Sequence, residues 1–174
     1  MGRVKQSSFK FKPFSTKQLK VLTWWMTESP VHDKDGIIAD GAIRSGKTVS
    51  MALSFIIWAM ELFNGMNFEM CGKTIGSFRR NVLMPLKLML RSRGYKYTDH
   101  RSDNMLEIWR NDTVNYFYIF GGKDESSQDL IQGITLAGVF FDEVALMPES
   151  FVNQATARCS VDGSKFWLKN SHIM

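Results

Sequence analysis

The sequence predicts an α/β fold, with a mostly parallel central sheet and helices on its faces. Three observations carry that prediction. Stretches of strand character alternate with helix-length stretches along the chain of 174 residues. A glycine-bracketed loop, Gly41-Ala-Ile-Arg-Ser-Gly-Lys-Thr48, separates a short apolar strand from a long apolar run. A second apolar run, Leu136 to Phe141, ends abruptly in Asp142-Glu143. Alternation of this kind feeds parallel strands through crossover helices, and such open sheets bind ligands at the carboxyl ends of their strands.

The loop is a full G-x-x-x-x-G-K-[ST] pattern, and its order follows from its chemistry. Glycines let the backbone curl so that successive N–H groups face phosphate oxygens, and the next helix presents its positive N-terminus to them. Gly41, Ala42, Ile43, Arg44, Ser45 and Gly46 form this cradle. Lys47 reaches the β- and γ-phosphates of a nucleotide, and the Thr48 hydroxyl is placed to ligate Mg²⁺. Ile37, Ile38 and Ala39 supply the strand that enters the loop.

Composition bounds the rest. The length suits one domain with a real core, and 44% hydrophobic with 22% charged residues is the balance of a soluble globular protein. The longest apolar run, Val49 to Met60, carries Ser50 and Ser54 and stops at Glu61, too short to span a bilayer. No apolar h-region opens the sequence, so a signal peptide is not expected. A net charge of +5 and a pI near 9.3 lean mildly toward nucleic-acid contact. Cys71 and Cys159 lack C-x-x-C spacing, which suits a reducing cytoplasm and argues against a zinc site or disulfide framework. The dispersed His32, His100 and His172 read as surface residues.

Taken in order, residues 1–13 form a basic arm and 14–174 the domain. Phe14 to Met26 is a predicted helix, with Ser15 as N-cap and Gln18 as its capping-box partner. Gln18 precedes the loop strand, and a side-chain amide can also donate to and accept from an adenine edge. The helix after the loop runs to about Phe63, with Asn64-Gly65 as its expected cap; its interior is apolar nearly all round, so it should be buried. Phe68 to Gly72 is a second strand. Thr74 to Leu90 is an amphipathic helix that Pro85 should bend or break. Arg91 to His100 reads as loop and strand edge, and Met105–Arg110 with Val114–Phe120 as a hairpin around Asn111-Asp112-Thr113. Lys123 to Gln132 is polar with helical potential, Pro148 to Arg158 a short helix, and Ser164 to Leu168 a last strand.

Leu136 to Phe141 reads as a central strand delivering two acids at its end. Asp142 would hold Mg²⁺, usually through water, and Glu143 could polarise an attacking water as general base. A glutamate at this position marks hydrolytic ATPases of the additional-strand type and is usually missing from nucleotide kinases.

With both motifs placed, the chain resembles the N-terminal ATPase part of the large terminase subunit of tailed phages and prophages, closest to the defective-prophage group. The matching pieces are Phe14-Ser-Thr-Lys-Gln-Leu-Lys20, the loop itself, Gly72-Lys-Thr-Ile with Arg79-Arg-Asn-Val, Phe120-Gly-Gly-Lys-Asp-Glu125, Gly133-Ile-Thr-Leu-Ala-Gly138, Phe141-Asp-Glu-Val-Ala145 and Ala157-Arg-Cys-Ser160. The resemblance implies a P-loop NTPase fold of the additional-strand class that binds ATP and Mg²⁺. It implies adenine recognition by Gln18, phosphate binding by Lys47, Mg²⁺ ligation by Thr48 and Asp142, and catalysis by Glu143. Arg44 matches a loop arginine that responds to the γ-phosphate; without the family it reads as a solvent-facing loop residue. The implied partners are double-stranded DNA, the portal and the small terminase subunit, in a ring of identical motors in the host-cell cytoplasm, transiently at the procapsid portal.

The chain departs from the family twice. Gln132-Gly133 stands where many relatives carry Arg-Gly, leaving an arginine finger unassigned among Arg79, Arg80 and Arg158, each equally readable as a surface charge. The sequence also stops after Phe166-Trp-Leu, ahead of the family's coupling motif and nuclease domain, so weak hydrolysis or none is expected of this piece. Two other readings stand beside the packaging ATPase. One is another P-loop ATPase core, helicase-like; the other is a nucleotide-binding assembly module without turnover.

Overall fold

The computed structural model describes residues 12–41, 46–123 and 133–171. Loop residues Ala42 to Ser45, Arg44 among them, lie outside the described residues, as do most of the basic arm and nearly all of the polar stretch after Gly122. The strands are β1 (Gly36–Ala39), β2 (Asn67–Gly72), β3 (Lys96–His100), β4 (Met105–Arg110), β5 (Thr113–Gly121), β6 (Leu136–Asp142) and β7 (Lys165–Lys169). They form one sheet in the order β1-β7-β6-β2-β5-β4-β3. Pairings from β1 through β5 are parallel, and β4 and β3 extend the sheet antiparallel. The α/β prediction holds, and β7 is the additional strand, inserted between the strand that enters the glycine loop and the strand that carries the two acids.

The helices are α1 (Thr16–Thr23), α2 (Lys47–Leu62), α3 (Ile75–Phe78), α4 (Met84–Ser92) and α5 (Glu149–Ala157). The α1 capping box forms in full: the Gln18 N–H donates to Ser15 Oγ, and the Ser15 N–H to Gln18 Oε1 at 2.9 Å. Buried Ser54 of α2 ties α1 down, donating to the Val21 carbonyl at 2.7 Å and accepting from Trp167 Nε1 at 3.1 Å. An apparent polar interruption of an apolar run thus locks α1, α2 and β7 together.

As its composition requires, α2 is buried from Ser50 to Ile56 and again from Trp58 to Met60. Phe55 and Trp58 pack against Trp167 with ring centroids 5.2 and 4.8 Å apart, and Phe68 stacks on Phe117 at 5.0 Å. Gly138 permits this approach, since a methyl group there would lie 2.7 Å from the Trp58 ring. A smaller core on the opposite sheet face gathers Cys71, Phe141, Met147 and Phe151 beneath α5.

Three expectations change. The predicted helix over Thr74 to Leu90 is two helices joined by a π turn at Arg79–Leu83, with Pro85 inside the first turn of α4, where its missing N–H costs no helix bond. Lys96 to His100 is a complete strand on β4 rather than an edge fragment. The end of α2 is capped at Phe63, not by Asn64-Gly65: buried Asn115 of β5 donates to the Ala59 and Phe63 carbonyls at 3.1 and 2.9 Å. The hairpin itself forms as predicted, with Asn111 at φ 53 in its tight turn.

Candidate nucleotide site

Three parallel strands end side by side at one edge of the sheet. Ala39 of β1 is the register partner of Lys169 on β7, and Lys169 that of Asp142 on β6. The chain leaves β1 through Asp40 and Gly41, and Gly46 is the N-cap of α2. Gly41 has φ 140 and Gly46 φ 74, both conformations that side chains rarely adopt. Gly46 offers no side chain to the helix start, and the first turn of α2 contains no acid. The first turn of α2 therefore adds no negative charge of its own at the positive helix end. The Lys47 ammonium reaches back and donates to the Gly41 carbonyl at 2.6 Å. Thr48 follows in the same turn.

Gln18 is brought to this loop through α1. Its Oε1 serves the capping box, and its Nε2 faces Gly46, where an added methyl group would come within 2.5 Å. The capping and loop-facing roles are compatible because the two ends of the amide do different work.

At the other side, β6 carries Asp142 to the sheet edge. Glu143 then turns into the left-handed region, φ 62 and ψ 53, and starts a 3₁₀ turn over Val144–Leu146. A non-glycine residue there is uncommon, and the turn redirects the second carboxylate away from the strand. Both acids meet Lys169, which is only 6% exposed. Its ammonium lies 2.9 Å from Asp142 Oδ1 and hydrogen-bonds Glu143 Oε1. Burial would push Lys169 toward its neutral form, but its hydrogen bond to Glu143 and its ion pair with Asp142 more than offset this and raise its pKa. Burial pushes the Asp142 carboxyl up, against the pull of Lys169.

Asp142 Oδ1 is buried and, among the described residues, faces the Lys169 ammonium as an ion pair with no aligned hydrogen-bond donor. An under-coordinated buried carboxylate oxygen fits a metal ligand. A carboxylate and a hydroxyl, the donors that Asp142 and Thr48 carry, are of the kind Mg²⁺ accepts when phosphates and water complete its shell. Lys169 was not singled out from the sequence. Its signal there is faint: a charge closing the apolar run Phe166 to Leu168 on a strand of unknown neighbours.

The arginine candidates part company. Arg79 Nη1 is held by Asp99 at 2.9 and 3.0 Å, beside Lys87, on the far side of the sheet order. Arg158 follows α5, with Nη1 buried and, among the described residues, without a hydrogen-bond partner.

A glycine loop with its lysine on a helix start, an acid pair on a neighbouring strand, and one strand inserted between them define a P-loop nucleotide-binding domain of the additional-strand class. The large terminase of a thermophilic bacteriophage superposes with a TM-score of 0.89 at 70% identity over 91% of this chain. The same terminase in complex with ADP does so at 0.86 and 69% over 91%. Over that matched length the chain is similar to the phage large terminase. It spans 39% of the thermophilic phage protein. The ATPase domain of a Thermus phage large terminase shares the fold at a TM-score of 0.66 and 16% identity, over 94% of this chain and 67% of that one. No protein-family model and no curated protein matches the sequence.

Proposed function

We propose that this chain binds ATP with Mg²⁺ and forms the hydrolytic part of a DNA-packaging motor. The observation that carries the reading is the strand order β1-β7-β6, which sets the Lys47 loop and the Asp142–Glu143 pair on one sheet edge. The complexes of the thermophilic phage terminase with ADP and with ATP-gamma-S support nucleotide binding.

In this reading the loop N–H groups and the start of α2 hold the phosphates. Lys47 exchanges its bond to Gly41 for the β- and γ-phosphate oxygens, and Arg44 answers the γ-phosphate. Gln18 reads the adenine edge with the amide end that faces Gly46. Thr48 and Asp142 hold Mg²⁺, which when bound neutralises charge developing on the phosphates. Glu143 accepts a proton from the attacking water, and catalysis comes chiefly from positioning and charge stabilisation. Double-stranded DNA, a portal and a small terminase subunit are the partners proposed for the full motor, acting as a ring in the host cytoplasm.

The test pairs an ATP-binding titration with a hydrolysis assay. Binding with slow turnover that disappears in Glu143→Gln supports the proposal; failure to bind ATP defeats it. Lys169 on Glu143 favours one second reading, a nucleotide-binding module without turnover, because a carboxylate engaged by an ammonium is a poor base. Binding with no turnover in either protein would select it.

A further inference from the structure

Lys169 is no part of the phosphate loop, yet it is the group that both acids touch. Two carboxylates and one ammonium leave a single net negative charge where a divalent cation is expected. The main chain of Lys169 is pinned on both sides, by Ala39 of β1 and Asp142 of β6. The next residue tightens this further: the Asn170 N–H donates to the Ala39 carbonyl at 2.9 Å, and Asn170 Oδ1 accepts from the Ala145 N–H at 3.3 Å. The ammonium ends a stem of four carbons, whose rotations can move it while the main chain stays in place. It already has a second partner in Glu143, so leaving Asp142 does not strand it.

We propose that Lys169 is the resident counter-cation of the acid pair, and that a divalent ion enters by taking Asp142 Oδ1 from it. Cation entry and the departure of Lys169 from Asp142 are then one exchange. Two positive groups cannot share a buried oxygen without strong repulsion, so Lys169 weakens the bare site for metal. Without nucleotide Asp142 stays paired with Lys169. A nucleotide, whose phosphates add negative charge and ligands, tips the exchange toward the metal. Lys169 is thereby a positioning residue that makes metal loading depend on nucleotide. This exchange rests on the reading of Asp142 as the metal-side acid.

The experiment uses Mn²⁺ as the probe, without nucleotide, followed by electron paramagnetic resonance and by thermal unfolding. Lys169→Gln keeps a donor of similar reach and removes the charge. It should bind Mn²⁺ at least about tenfold more tightly than the wild type, and its unfolding temperature should rise with Mn²⁺ while the wild type scarcely responds. Lys169→Arg, which retains the charge, should behave like the wild type. Equal Mn²⁺ affinity in Lys169→Gln and the wild type overturns the proposal. If Lys169→Gln is unfolded without added ion, recovery of its helical circular dichroism on adding Mn²⁺ supports the exchange, and failure to recover overturns it. A parallel ATP titration of the wild type separates the two levels. No ATP binding sinks the site reading itself; ATP binding with unmoved Mn²⁺ affinity removes only the role of Lys169.

Discussion

The side-chain amide of Gln18 stands against Gly46, so close that a methyl group on the glycine would lie 2.5 Å from Nε2. The amide can swing aside, but the glycine's φ of 74 cannot be relaxed without moving the start of α2. Gly46→Ala should therefore cost about 1–2 kcal/mol and weaken ATP binding. Adding Gln18→Ala should not restore it. Thermal unfolding with a fluorescent ATP-analogue titration measures both, and recovery in the double variant would place the cost in the clash.

The Lys47 ammonium donates to the Gly41 carbonyl. Lys47→Ala should lower ATP affinity by roughly 10- to 100-fold, the worth of a charge-assisted bond. Isothermal titration reads the affinity. Unchanged binding would remove Lys47 from the phosphate site.

Glu143→Gln keeps shape and removes a base. ATP affinity should change little, while turnover falls by about 10²-fold or more. A steady-state assay beside a binding titration separates the two effects, and equal loss of both would mean that Glu143 serves the loop's structure instead.

Buried Glu69 gives a pH signature. Burial raises its carboxyl to about 7 from an ordinary 4.5, while the Cys71 thiol bonded to it at 3.0 Å and the field of Arg158 pull the other way. The native state thus keeps a proton that the unfolded chain releases earlier. The stabilisation is complete below about 4.5 and is lost as pH rises to about 7. Glu69→Gln should abolish this slope and be the more stable protein at pH 8, by roughly 3 kcal/mol at most. Urea unfolding at pH 5 and pH 8 tests it; parallel losses in both proteins would contradict it.

Gly138 sits under the Trp58 ring, and an added methyl group would meet two ring carbons at 2.7 Å and the Lys165 carbonyl at 2.9 Å. Neither neighbour is a flexible side-chain end. Gly138→Ala should destabilise by about 1–3 kcal/mol through overpacking. Denaturant titration measures it, and a neutral result would mean that α2 can lift from β6 cheaply.

Features written in adjacent residues were legible before the fold was known. The capping box of Ser15 and Gln18, the glycine loop with Lys47, the buried α2, the hairpin around Asn111 and the strand ending in Asp142 all depend on spacing within a few residues. That is the range over which backbone preference and hydrophobic period act. Where reading failed, a distant partner had intervened. Asn115 lies far along the chain from the helix end it caps, and β3 is a strand because β4 pairs with it.

The chain's linear pattern carries a glycine-bracketed lysine motif and an acid pair closing an apolar run. Only the tertiary structure decided that the strand entering the one and the strand carrying the other end side by side with β7 between them, because strand order is set by long-range pairing and by the burial of α2 against the sheet. With β7 came Lys169, a residue whose place against two carboxylates no local pattern encodes, since an ion pair across strands has no period along the chain.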